Sequence, residues 1–222
     1  MKRDGLVIAI DGPSGAGKST VAKALAERIG LRYLDTGAMY RALALEAVKA
    51  KIADAPPEQL GDLAASLQVC FEGPPAAQRV ICNGRDVTEE IRTPEIGDLA
   101  SALSVHSAVR RAMVAAQRRI IASGGWTLEG RDTTTVVAPD ADLKVYLDAS
   151  PEVRARRRYE ELAARGIETT LAEVLEQQME RDHRDSTRED SPLRRAQDAV
   201  LIDSSDLSVE QVVDRIIALL EE

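Results

Sequence analysis

The sequence predicts an α/β fold built on a doubly wound parallel sheet, and three observations carry that expectation. Apolar runs of strand length alternate with helical patterns along the 222 residues. A glycine loop, Gly12-Pro13-Ser14-Gly15-Ala16-Gly17-Lys18-Ser19-Thr20, stands between the first apolar run and the first helix. One segment, from Leu67 to Val87, breaks the alternation with a shorter period and reads as a small antiparallel β insertion.

The elements follow in order. Leu6-Val7-Ile8-Ala9-Ile10 is the first strand, and the helix after the glycine loop runs to about Ile29, with Gly30 as its C-terminal stop. Leu31–Asp35 reads as the second strand, and Thr36 is the expected N-cap of a helix from Ala38 to about Lys51. Ala55-Pro56-Pro57 breaks the chain before a short helix from Glu58 to about Ser66. Within the insertion Leu67, Val69 and Phe71 alternate, and Gly73-Pro74-Pro75 turns the chain. Arg79–Cys82 then meets Arg85–Val87 across Asn83-Gly84, a pair suited to a tight hairpin turn. Thr93 and Pro94 are placed as N-cap and first residue of helical sequence reaching Ser123, with a break near Ser104 and an end at Gly124-Gly125. Trp126–Glu129 and Leu143–Leu147 are the next strands, followed by two helices, Pro151–Arg165 and Leu171–Arg188, joined around Gly166. Ala199–Ile202 is the fifth sheet strand, and Ser208 with Gln211 forms a capping box for a last helix to about Leu220. A single domain over 1–222 is expected, with the β insertion at about 63–92 and a helical lid at about 151–190.

Composition narrows the class. Hydrophobic residues at 44% and charged residues at 30% describe a soluble globular chain, and a net charge of −8 argues against general affinity for nucleic acid. No apolar run is long enough for a bilayer, and the chain enters its first strand with no signal peptide before it. Cys70 and Cys82 make no CxxC or metal cluster; they could face each other across the hairpin, but buried free thiols in a reducing cytoplasm are the expectation. A monomer without membrane contact is expected. Six lysines stand against 23 arginines, whose planar forks suit bidentate phosphate contact.

The glycine loop has the GxxxxGK[ST] form of a phosphate-binding P-loop. Backbone N–H groups and the helix N-terminus would face phosphate oxygens, Lys18 would reach the outer phosphates, and Ser19 would complete a Mg²⁺ shell. Gly12 to Thr20 are therefore the candidate ATP-binding residues. In a doubly wound sheet ligands bind beyond the carboxyl ends of the strands, where Asp35-Thr36, Gly130-Arg131-Asp132 and Asp148 also fall. Tyr40 and Arg41 could stack on a base and grip a phosphate, or be a core tyrosine and an ordinary helix start. Arg131 could hold an acceptor phosphate, or pair with Asp132 at the surface. Arg154, Arg156, Arg157 and Arg158 precede a helix on which Arg181, Arg184, Asp185 and Arg188 share one face. That pattern suits either a solvated salt-bridge face or a mobile cover over a nucleotide, and ten arginines with no lysine between Arg154 and Arg195 favour the cover. Ser101 and Arg110 could reach a nucleotide from the helix after the insertion, while Arg111 and its surroundings read equally well as bland surface.

Taken together, the chain resembles the bacterial cytidylate (CMP) kinases, P-loop nucleoside monophosphate kinases. The resemblance rests on Ile10–Ser19, Leu34–Arg41, Gly130-Arg131-Asp132, Tyr146–Ser150 and Glu180–Asp185, spread over nearly the whole length. It implies transfer of the ATP γ-phosphoryl group to CMP or dCMP with Mg²⁺, and makes the insertion an enlarged monophosphate-binding region. By position it implies that Thr36, Tyr40, Arg41, Ser101, Arg110, Arg131, Asp132, Arg181, Asp185 and Arg188 surround CMP. Ser101, Arg110 and Asp132 would read cytosine or sugar; Arg41, Arg131 and Arg181 would hold the phosphate. Lys18, Arg131, Arg181 and Arg188 are the catalytic candidates, through charge neutralisation. The chain departs from the family pattern GRDxGTVV at Thr134, where glycine is usual, so the shape of that loop is an open question. Three rivals remain at this point: a P-loop kinase for another small acceptor such as UMP or a sugar acid, a GTP-binding switch (no NKxD-type motif is present), and a non-catalytic nucleotide-binding module.

Overall fold

Five buried runs assemble into one parallel sheet in the computed structural model, which describes residues 5–221. In chain order the elements begin with β1 (Val7–Asp11), α1 (Lys18–Ile29), β2 (Arg32–Asp35), α2 (Thr36–Lys49) and α3 (Pro57–Ser66). The insertion follows as β3 (Val69–Glu72), β4 (Arg79–Cys82) and β5 (Arg85–Asp86), and then come α4 (Pro94–Leu103) and α5 (Ser107–Ile121). The second half holds β6 (Trp126–Gly130), β7 (Leu143–Asp148), α6 (Pro151–Ala164), α7 (Leu171–Thr187), β8 (Val200–Asp203) and α8 (Val209–Leu219).

The sheet order β2-β6-β1-β7-β8 places β1 at the centre, hydrogen-bonded in parallel to β6 on one side and β7 on the other. Its residues Ile8, Ala9 and Ile10 are fully buried because helices cover both faces. Ile8 and Ile10 pack with Leu25, Val145 and Ile216 of the α1 and α8 layer, whereas Ala9 and Leu128 pack with Leu43, Leu60 and Met113 of the α2, α3 and α5 layer. The alternation of β1 side chains thus divides the core into two clusters, one per face. A third, small cluster of Ala155, Leu162 and Val174 joins α6 to α7 apart from both.

The insertion is a three-stranded antiparallel sheet, order β3-β4-β5. Asn83 and Gly84 both take positive φ, 50° and 79°, as the tight hairpin turn between β4 and β5 demands. Val80, Cys82 and Val87 belong to the same core cluster as α2 and α3, so the insertion shares the main core. Cys70 lies opposite Ile81 and Cys82 opposite Val69, an offset of one that sends the two thiols to opposite faces. Cys82 is buried and free as expected; Cys70 is free but exposed, correcting the expectation that both are buried.

Two helix starts also differ in detail. Asp35, not Thr36, caps α2: its Oδ1 accepts the Ala38 N–H at 2.8 Å. The chain passes from β2 straight into α2, which leaves Asp35 in an extended conformation and makes Thr36 the first helical residue. The helical sequence after Thr93 is divided at Ser104–His106, so Ser101 and Arg110 stand on two helices, α4 and α5. Arg110 is buried whereas Arg111 is exposed.

Candidate active site

The glycine loop joins β1 to α1 at the carboxyl edge of the sheet. Gly12 has φ +149°, and a Cβ there would stand 1.9 Å from the Leu147 carbonyl oxygen, so only glycine fits between β1 and β7. Gly17 is left-handed and leads directly into Lys18, the first residue of α1. Lys18 is buried, and its Nζ donates to the Pro13 carbonyl at 2.7 Å. Burial and the Arg131 guanidinium push its ammonium down to about 7. The Ser19 hydroxyl donates to Glu129 Oε1 at 2.8 Å. Burial and the nearby Asp35 raise the Glu129 carboxyl above its usual range.

The charges of Arg131 and Arg181 both bear on Lys18. Burial lowers Arg181 to about 10, and the charges of Arg131 and Arg41 push in the same direction, which places Arg41 next to Arg181 in this chain of charges. Arg41 is held by Asp35 at 2.8 Å and Arg131 by Asp185 at 2.9 Å. Burial alone would raise Asp185, yet Arg131, Arg181 and Arg188 hold it below the usual carboxylate range. Thr36 lies at the floor of this group, donating its hydroxyl to the Glu129 carbonyl at 2.7 Å.

Next to it Tyr40, Arg110, Asp132 and Arg188 form a second group. Arg110 pairs with Asp132 at 2.5 Å, with both side chains almost wholly buried, and lies 5.6 Å from the centre of the Tyr40 ring. Burial raises the Tyr40 hydroxyl to about 12. Arg188 approaches Asp185 at 3.5 Å. Ser101 joins through Arg184, whose Nη1 donates to the Ser101 hydroxyl at 2.9 Å.

Ten buried side-chain polar atoms find no hydrogen-bond partner among the described residues, and five lie in these two groups: Tyr40 OH, Arg41 Nε, Arg110 Nε, Arg181 Nε and Arg188 Nη2. Buried donors without acceptors are costly. Their concentration at one sheet edge is the arrangement that an anion carrying several oxygens satisfies.

The arginines of α6 divide. Arg154 is buried and donates to the Ser14 carbonyl at 3.0 Å and to Asp182 at 2.5 Å, while the other Asp182 oxygen accepts the Ser14 N–H at 3.3 Å. Arg157 is instead spent on Ser204, Arg158 on Glu161 at the surface, and Arg156 is exposed. So Arg154 bonds the loop directly and Arg157 lies beside it at Gly17 through Ser204, while Arg156 and Arg158 face away.

Sequence reasoning left out Asp11, Glu129 and Asp182, and it placed Arg184 on the shared α7 face without its partner Ser101. Asp11 and Glu129 had a signal, an acid closing an apolar strand at the ligand edge. Asp182 sits in the charged run on α7, where nothing local separates an inward residue from a solvated one. Thr134, the open question, adopts no positive φ. It belongs to a π-helical turn, Thr133–Val137, and its hydroxyl donates to Asp11.

Comparison with known proteins agrees with this geometry. A sequence model of the family described as Cytidylate kinase matches residues 8–222. The chain is 51% identical to a cytidylate kinase of Geobacter sulfurreducens, over 99% of this chain and 94% of the relative. It is 48% identical to one of Desulfitobacterium hafniense, over 100% and 95%. Among solved structures, a shikimate kinase from Bacteroides thetaiotaomicron shares the fold with a TM-score of 0.50 at 14% identity, covering 98% of this chain and 99% of that one. With a P-loop facing a cluster of half-buried arginines and likeness over nearly the full length to cytidylate kinases, the chain belongs to the cytidylate kinase family.

Proposed function

We propose that the protein transfers the γ-phosphoryl group of ATP to CMP or dCMP, giving ADP and the nucleoside diphosphate. The observation that carries this reading is that the charges of Arg131 and Arg181 bear on Lys18 and that of Arg41 on Arg181, with unpartnered guanidinium nitrogens on Arg41 and Arg181, a second phosphate site facing the P-loop. Gly12–Thr20 hold the donor; Arg41, Arg131 and Arg181 hold the acceptor phosphate. Tyr40, Ser101, Arg110, Asp132, Asp185 and Arg188 enclose its base and sugar, with Thr36 supporting the floor. The acceptor phosphate is anionic at neutral pH, so its oxygen attacks the γ-phosphorus in line without a strong general base or a covalent enzyme intermediate. Lys18, Arg131, Arg181 and Arg188 then act by holding the two nucleotides in line and neutralising the charge that spreads over the transferring group.

The oxygens at the end of the loop fit Mg²⁺. Ser19 and Glu129 offer a hydroxyl and a carboxylate 2.8 Å apart, both hard donors. No cluster of three or more His, Cys, Asp or Glu among the described residues is placed to hold a metal, which suits a cation whose other ligands are phosphate and water. When bound, Mg²⁺ supplies charge neutralisation at the phosphates.

In this reading the insertion (63–92) is the acceptor-side flap, and 151–190 the lid, of a monomeric single-domain kinase. Among the described residues no helix is long and apolar enough to cross a membrane. The test is ADP formation from ATP with a panel of acceptors: CMP, dCMP, UMP, AMP, gluconate and shikimate. Turnover with CMP and dCMP at least tenfold above the rest is expected. A better rate on a sugar acid, or none on any, rejects the reading. Arg131→Ala should weaken CMP use while leaving ATP binding largely intact.

A further inference from the structure

Neither nucleotide site uses Asp11, although it is a fully buried carboxylate at the end of β1, one residue before Gly12. Its Oδ1 accepts the Thr133 N–H at 2.8 Å and the Thr133 hydroxyl at 2.7 Å. Its Oδ2 accepts the Thr134 N–H at 2.7 Å and the Thr134 hydroxyl at 2.6 Å. All four donors come from the two residues after Asp132. In the β1–β6 register Asp11 also lies opposite Gly130, the residue before Arg131. The short stretch carrying Arg131 and Asp132 is therefore tied to Asp11 at both ends.

Burying a carboxylate here is costly, and its acidity is weakened by burial in spite of the threonine donors. An apolar residue would continue the pattern of Val7 and Ala9, which face the same side of β1, but it would orphan two backbone N–H groups. An amide could accept on one side only and would turn its own donors toward Thr133 or Thr134. Asp11 itself cannot shift, because Gly12 is wedged against Leu147. Beyond the tie, the Asp132 carbonyl accepts from Val136 at 2.8 Å and Val137 at 3.1 Å, so the π-helical turn and Asp132 move as one piece.

We propose that Asp11 is a positioning residue for acceptor choice: through Thr133 and Thr134 it holds the Asp132 carboxylate against Arg110, in register with the P-loop. The proposal rests on the reading of Asp132 and Arg110 as the base-side pair. Thr134 stands where the family pattern GRDxGTVV has glycine. The glycine usual in the family offers the N–H but no hydroxyl, so the tie here has a fourth bond.

The test is steady-state kinetics with CMP, UMP and ATP on wild type, Thr134→Ala, Thr134→Ser, Asp11→Asn and Asp132→Ala, each checked for folding by thermal melting. Thr134→Ala should raise KM for CMP about three- to tenfold, the net worth of one ordinary hydrogen bond since three other donors still hold Asp11, with kcat and KM for ATP within about twofold. The preference for CMP over UMP should fall in step, and Thr134→Ser should restore both. Asp11→Asn should show the same split, larger; if it fails to fold, the Thr134 pair decides. Wild-type CMP kinetics in Thr134→Ala, beside a weakened Asp132→Ala, overturns the proposal alone. So does an equal loss for CMP and ATP, which would mark a purely structural tie. Unchanged CMP kinetics in Asp132→Ala overturns the base-side reading and the proposal with it.

Discussion

Burial and the Arg131 guanidinium leave Lys18 half-discharged at about 7, whereas the same side chain in an unfolded chain stays charged to about 10.5. Between these values the unfolded chain binds a proton that the folded one does not. The sign follows: this group opposes folding below about pH 7, and the opposition is relieved as pH rises through the window toward 10.5. A triphosphate on the P-loop reverses the balance by favouring the ammonium. ATP binding at about pH 8 should therefore take up a proton, seen by calorimetry in buffers of different ionisation enthalpy. Identical heats across buffers would reject it. Lys18→Ala should abolish the uptake and lower kcat at least about a hundredfold, since the charge is most needed in the transition state.

Between elements, α3 and α5 approach each other closely. A Cβ on Gly61 would stand 2.7 Å from the Ala108 Cβ, so the helices pack with backbone almost in contact. Gly61→Ala gains helix propensity but must push α5 away, with a net loss of about 1–3 kcal/mol expected in urea unfolding. A rise in stability would show that α5 gives way freely. That helix carries Arg110, so KM for CMP should suffer more than KM for ATP. Such crossings have no signature in the sequence, whereas element identity was largely legible. Asn83-Gly84, Gly30, and the caps at Thr93 and Ser208 are chemistry within a few residues of each other. Asp35 and Thr36 were not separable because both residue types cap helices and only the chain path chooses between them. The membership of the two arginine-lined groups was implied by the resemblance to the cytidylate kinases; spacing on α7 and the strand-end positions pointed to Arg131, Arg181 and Arg188 but left Tyr40, Arg41, Ser101 and Arg110 open. The bonds of Asp11 to Thr133 and Thr134 were not legible, because they join residues more than 120 positions apart.

For the molecule as a whole, the seam between lid and P-loop sets what can move. Asp182 and Arg154 grip both backbone groups of Ser14, and Gln178 Nε2 would lie 2.7 Å from a Cβ on Gly15. The apolar contents of the lid are only a small cluster of its own. Among the described residues its attachment is therefore mainly polar, through Ser14, Arg131, Ser101 and Ser204, so in the proposed lid role opening of α6 and α7 would disturb neither main cluster. Asp182→Ala should raise amide hydrogen exchange along α7 about tenfold in the free protein while shifting global stability by less than about 1 kcal/mol. A large global loss with unchanged exchange in α7 would contradict that division.

The central place of β1 also bears on how the chain is made. Its partners are β6, beginning at Trp126, and β7, beginning at Leu143, so the first strand to leave the ribosome is among the last to find both neighbours. At about 5–20 residues per second the wait is roughly ten to thirty seconds. During that time Val7–Ile10 is a bare apolar β segment ahead of an unformed glycine loop, the kind of segment on which chaperones act. Moving the chain ends by circular permutation into the exposed turn at Lys51, so that β6 and β7 are made before β1, should shorten refolding and reduce aggregation during synthesis.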